Sequence, residues 1–231
     1  MFLAKALSTT VLFGGLALGP IGSAQAANLI ANGDFEAVDI ASNYTTYNST
    51  NVPDGFGWSI APDDYIFLVN SYWSGVSGTT NPDGIDQSLE LRPSSKLSQS
   101  FATQIGKTYE FSFFYAHDFA NAQGRGLGQF DIVGAVSLLS GTLLHDIPST
   151  QANLNFLPYT NQFVADSDST TLTFSGDPSN SYHGFVIDGV LISEISQDTI
   201  NSVPEPSSLL LAGLLGLITF GFHALRQRRS C

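Results

Sequence analysis

Asp188 sits in an otherwise apolar stretch, Phe185 to Ile192. A lone carboxylate buried among such side chains is costly unless it is paired, hydrogen-bonded or bound to a metal. Two answers are open: a divalent cation, or backbone amides that the carboxylate caps. Aromatic residues raise a second chemical question. Tyr72 and Trp73 fall in the loop-like NSYWSGVSGTTNPDG, and Tyr182 and His183 fall in another loop. Rings exposed at the end of a sandwich stack on the apolar C–H faces of a pyranose. Rings packed beneath their own loops serve only the core. The loop HDFANAQGRGLGQ holds His117, Asp118 and Arg125 with three glycines too irregular for a phosphate loop. Arg125 reads as an ion-pair partner rather than a ligand reader.

The chemistry that is missing narrows the field. Glycosidases need two positioned carboxylates, but with nineteen acids before residue 202 a pair can always be found, so that criterion carries no information. No G-x-S-x-G elbow is present for Ser/His/Asp catalysis. There are four histidines, one of them His223 near the C-terminus, and their spacing supports no zinc site. The expectation is a protein that is not an enzyme.

The elements that must position these residues are strands. From Ala27 to Asn201 the chain is rich in Ser, Thr, Asn, Gly, Phe and Tyr and poor in Lys, Glu and Ala, which favours strands and turns over helices. In KTYEFSFFYAHD, Tyr109, Phe111, Phe113 and Tyr115 share one face and Glu110, Ser112 and Phe114 the other. TTLTFSG alternates Thr171 and Thr173 against Leu172 and Phe174. Further candidates are NLIANGDFEA, GFGWSI, DYIFLVN, QSLEL, KLSQSFAT, FDIVGAVSLLSG, FLPYTNQFVAD and GFVIDGVLISEI. Turn signals separate them, among them Pro53-Asp54-Gly55, Asn81-Pro82-Asp83-Gly84 and Ser175-Gly176-Asp177-Pro178. About ten short strands at this spacing predict an all-β, antiparallel sandwich in one domain, residues 27–197.

Four stretches in order resemble the galactose-binding-like β-sandwich, the jelly-roll of many carbohydrate-binding modules. They are Asn28-Leu29-Ile30-Ala31-Asn32-Gly33-Asp34-Phe35-Glu36, then Gly57-Trp58, then Leu97 to Thr103 with Gly106-Lys107-Thr108-Tyr109, then Gly184 to Val190 with its Ile187-Asp188-Gly189. The set is similar to plant-type cell-wall domains and their bacterial relatives, and it spans most of residues 28–195. The resemblance implies that Trp58 belongs to the core. It also implies that the first strand, ended by Glu36, lies near the last. There the family often holds a structural Ca²⁺, with Glu36 and Asp188, and then Asp34, as ligands.

Both ends of the chain read as targeting segments. Lys5, an apolar stretch from Val11 to Ile21 and Ala24-Gln25-Ala26 predict a signal peptide over residues 1–26. A polar linker, residues 198–206, precedes nineteen uncharged residues, 207–225, long enough for a helix of roughly 28 Å, close to the ~30 Å hydrocarbon core. A basic end, residues 226–231, follows, and Arg226, Arg228 and Arg229 would stay cytoplasmic. Val203-Pro204-Glu205-Pro206, the helix and the arginines resemble the PEP-CTERM sorting tail of Gram-negative bacteria over residues 203–229; His223 inside the span departs from the pattern. The resemblance implies transient anchoring in the inner membrane, processing by an exosortase-type membrane protease, and release to the cell surface or extracellular matrix.

Charge agrees with export. The stretch from Ala27 to Asn201 has four basic residues and nineteen acids, a formal charge of −15. Such a surface repels nucleic acid and anionic lipid, favours solubility and suits a divalent cation. Cys231, the single cysteine, leaves no intramolecular disulfide. The expected function is binding of carbohydrate or exopolysaccharide. The alternatives are a structural biofilm or matrix role without glycan recognition, and ice binding, for which Thr171 and Thr173 make only one Thr-x-Thr pair.

Overall fold

A computed structural model describes residues 27–76 and 86–195. The signal peptide, the linker, the tail helix, its arginines and the Asn81–Gly84 turn lie outside these residues. The eleven described elements are all strands: β1 (Tyr44–Asn48), β2 (Ser59–Ile60), β3 (Tyr65–Val69), β4 (Ser88–Leu91), β5 (Lys96–Ala102), β6 (Thr108–His117), β7 (Gly126–Val133), β8 (Ser137–His145), β9 (Leu157–Val164), β10 (Ser169–Gly176) and β11 (Phe185–Glu194). They form two antiparallel sheets, ordered β1-β3-β4-β11-β6-β9 and β2-β5-β10-β7-β8.

The alternation in β6 does what the sequence predicts. Tyr109, Phe111 and Phe113 are buried between the sheets, where Phe113 meets Phe174 edge-on at 5.0 Å and Phe130 at 6.1 Å. Trp58 also lies in this core, its Nε1 donating to Asn32 O at 2.9 Å. The stretch FDIVGAVSLLSG folds as the ends of two strands, β7 and β8, because Asp166 caps the turn between them by accepting the Ala135 and Val136 amides.

The largest departure concerns residues 28–37, which are expected to form a strand. They form turns instead, because asparagine side chains take the place of a ladder. Asn28 Oδ1 accepts the amides of Ile30 and Ile192, and its Nδ2 donates to Val190 O. Gln99 of β5 holds the same segment from the other sheet, accepting Ala31 N and donating to Ala31 O and Gly57 O. The segment thus laces both sheets together. Gly33 is required there: a Cβ would lie 1.9 Å from Val190 O.

Residues directly opposite across an antiparallel pair share a face. On the outer face of the six-stranded sheet one row therefore runs Phe67, Glu90, Val186, Ala116 and the next runs Tyr44, Val69, Ser88. This face carries a second, smaller core of Val69, Trp73, Ala116, Leu154 and Val186 beneath the loops after β3, β6 and β8. The loops that cover it build the site.

Candidate functional site

Tyr72, Trp73, Tyr182 and His183, separated by more than a hundred residues, line one recess on this outer face. Tyr44, Phe67, Val69, Glu90 and Asp118 complete it, around a volume of about 170 Å³. The sequence groups the four rings only as loop residues; the crossing of β3, β4, β6 and β11 puts them together.

Their exposures differ from the expectation in one respect. Trp73 is not an open platform: it is 4% exposed, its Nε1 donates to Ser88 Oγ at 2.9 Å, and Phe119 meets it edge-on. The open rings are Tyr182, 67% exposed, and Tyr44, 52% exposed. Tyr72 bridges the two kinds, packed against Trp73, Phe119 and Tyr44.

The floor is polar and buried. Glu90 Oε1 accepts Gly184 N at 2.7 Å and Arg92 Nη1 at 3.3 Å. Arg92 is itself buried, its guanidinium carbon 3.6 Å from the centre of the Tyr182 ring and 5.0 Å from that of Phe67. Its Nε and Nη2 have no hydrogen-bond partner among the described residues. Burial, with the nearby Asp118 charge adding to it, pushes the Glu90 carboxyl up to about 7, against the Gly184 amide and Arg92. Asp118 accepts Ala120 N with Oδ1 and places Oδ2 2.6 Å from His183 Nδ1.

Behind the recess the two sheets are joined by imidazoles. His117, at the end of β6, and His145, at the end of β8, face each other with Nδ1 atoms 2.7 Å apart, both buried. His145 Nε2 lies 2.9 Å from Asn155 O, so its proton sits on Nε2 and its Nδ1 accepts from His117. Burial lowers both pKa values; the neighbouring His145 lowers that of His117 further, while Asp118 and Asp146 oppose the shift. A histidine pKa lowered by folding gives stability that is full above the unfolded value of ~6.5 and lost as pH falls through the folded value. The melting temperature should therefore drop more steeply between pH 7 and 5 in the wild type than in His145→Gln. Equal slopes would remove the imidazole pair as the cause.

Of the expected ligands Glu36, Asp188 and Asp34, the first two approach the same backbone: Glu36 Oε1 accepts Gln87 N, and a Cβ on Gly75 would lie 2.4 Å from Gln87 O and 2.6 Å from Asp188 Oδ2. Asp188 is capped by amides: Oδ2 accepts Val76 N and Oδ1 accepts Gly189 N, both at 2.6 Å. Asp34 Oδ1 faces Glu36 N at 3.4 Å. Glu36 Oε1 accepts Gln87 N at 2.5 Å, while Glu36 Oε2 and the Oδ1 of nearby Asp86 are buried without a hydrogen-bond partner among the described residues. Burial, then the charges of Asp34, Asp86 and Asp39, push the Glu36 carboxyl up to about 7 against the Gln87 amide.

A larger groove, about 620 Å³, lies on the five-stranded sheet among Gln129, Asp131, Thr142, Thr173 and Ser175. Its one ring, Phe130, is 3% exposed and turned to the core, so it offers hydroxyls without a stacking surface.

Fold and recess together define a two-sheet antiparallel β-sandwich with a ring-walled, acid-floored recess on one outer face. Residues 28–193 match the family described as Protein of unknown function (DUF642), and the chain belongs to that family. Residues 202–229 match the PEP-CTERM protein-sorting motif. Halomucin of Haloquadratum walsbyi is 29% identical over 224 residues, 94% of this chain; the chain spans 2% of the length of that curated relative. Solved structures with a similar fold include an arabinose-bound α-L-arabinofuranosidase (12% identity, TM-score 0.48, 74% of this chain and 27% of that one). Others are the xylan-binding domain of Paenibacillus barcinonensis Xyn10C (11%, 0.43, 66% and 94%) and TmCBM61 in complex with β-1,4-galactotriose (12%, 0.42, 73% and 99%).

Proposed function

We propose that this chain is an exported, non-catalytic protein of the cell surface or extracellular matrix that binds carbohydrate in the outer-face recess. The observation that carries the reading is the pairing of two open rings, Tyr182 and Tyr44, with buried carboxylates between them. Rings take the C–H face of a sugar, and carboxylates accept from its hydroxyls. The recess, about 170 Å³, is smaller than the ~300–1,000 Å³ of pockets for drug-sized ligands. It suits a single sugar unit, a chain end or a branch, rather than the middle of a polysaccharide. One oxygen of each carboxylate is held in place, Glu90 Oε1 by Gly184 N and Arg92 and Asp118 Oδ1 by Ala120 N, which orients the other.

The sorting motif at 202–229 supports the place of action. In this reading the segment from 207 to 225 holds the chain in the inner membrane of a Gram-negative cell, with Arg226, Arg228 and Arg229 inside. An exosortase-type protease acts at the Pro204-Glu205-Pro206 motif, and the sandwich reaches the outside. A structural calcium ion on Glu36 and Asp86 completes the proposal; Glu36 Oε2 and Asp86 Oδ1, both buried and without a hydrogen-bond partner among the described residues, support it.

Binding is tested with the full chain on a glycan array and in polysaccharide pull-downs. The wild type should retain a subset of glycans, and Tyr182→Ala should weaken retention at least about tenfold, the equivalent of ~1.4 kcal/mol. Absence of binding to any glycan would leave the structural-matrix reading in its place.

A further inference from the structure

Glu90, Asp118 and His183 each bring one ligand atom to a common point, all within 4.8 Å of one another. They come from three elements: β4, the loop after β6 and the loop before β11. We propose that they form a divalent transition-metal site at the floor of the recess, with zinc as the ion their donors suit.

The donor set selects the metal. Calcium takes six to eight oxygens, and magnesium seldom takes imidazole. One imidazole nitrogen and two carboxylates match zinc, which is held by three protein ligands where a fourth position stays open. Here the fourth position would face the recess, where a water or a sugar hydroxyl can reach it.

A second observation concerns His183. Its Nδ1 lies 2.6 Å from Asp118 Oδ2, so an imidazole nitrogen and a carboxylate oxygen from two different loops already meet at the cluster, beside the buried Glu90. Two buried carboxylates this close repel each other, and a cation between them relieves that repulsion. Arg92 answers only part of that charge, because it reaches Glu90 alone through Nη1. With a domain charge of −15, the surroundings attract a dication rather than oppose it.

The test uses the full chain, purified in detergent without a histidine tag and stripped with chelator. Zinc chloride alone is titrated by calorimetry into the wild type, His183→Ala and Asp118→Asn, and visible spectra are taken with cobalt as a substitute ion. The wild type should bind one equivalent of zinc more than either variant and show a cobalt band that both lose. Equal zinc stoichiometry in the wild type and His183→Ala overturns the proposal. His183 is partly exposed and lies in a loop, so His183→Ala stays informative if Asp118→Asn fails to fold. No glycan enters this titration, so its failure leaves the carbohydrate reading intact. A zinc-loaded protein that binds no glycan would sink that reading alone.

Discussion

Glu90→Ala is expected to cost about 3–5 kcal/mol, because it leaves the Arg92 guanidinium buried without its carboxylate. For a domain of this size that is a fall in melting temperature of about 6–20 °C. The geometry explains why no neighbour can compensate. Arg92 is held on three rings, Tyr65, Phe67 and Tyr182, which stabilise the charge but accept no N–H in plane. Its Nε and Nη2 already lack partners, so the Nη1 contact to Glu90 is the one polar contact described for the guanidinium. The double variant Glu90→Leu/Arg92→Leu should recover most of the loss, since apolar replacement of a whole buried pair is often neutral or stabilising. Thermal denaturation of the three proteins at one pH decides the matter. A single variant as stable as the wild type would mean that Glu90 does not hold Arg92.

Calcium added to chelator-stripped protein is expected to raise the melting temperature by about 5–10 °C at a hundredfold excess over the dissociation constant, a gain of ~2.7 kcal/mol. The gain comes from Glu36 and Asp86, whose buried oxygens would exchange an unpaired state for coordination. Glu36→Gln should lose most of the gain, whereas Asp188→Asn should keep it, since Asp188 already has backbone amides. A melting curve that ignores both calcium and chelator would end the calcium proposal. A gain preserved in Glu36→Gln would place the ion elsewhere.

Much of the fold was legible because β6, β10 and β11 bury residues by simple alternation or by a continuous apolar run. The first segment departs from its strand-like pattern for a physical reason. Asn28, Asn32 and Gln99 hydrogen-bond through their side chains, which alternation reads as facing water, yet each substitutes for a strand partner. Strand β1 gives no clear sequence signal because Tyr44 to Asn48 is polar and lies on an edge. The site was half legible. The loops announced Tyr72, Trp73, Tyr182 and His183, but Glu90 sits in QSLEL, where a charged residue between apolar ones reads as solvent-facing. Only the loops folded over that outer face bury it, and their packing has no local signature. The one available signal was that Ser88, Glu90 and Arg92 alternate opposite Tyr65, Phe67 and Val69, placing charge and rings on one face.

The lacing of Asn28 and Leu29 onto β11 has a mechanical consequence. It brings the beginning of the sandwich beside Ile192, close to where β11 ends and residue 196 follows. The recess lies at the other end of that strand, where Glu90 pairs with Val186. Val186 and Glu194 are eight steps apart along the strand, roughly 25 Å at ~3.3 Å per residue. Any tether acting through residue 196 therefore pulls on the pole opposite the recess.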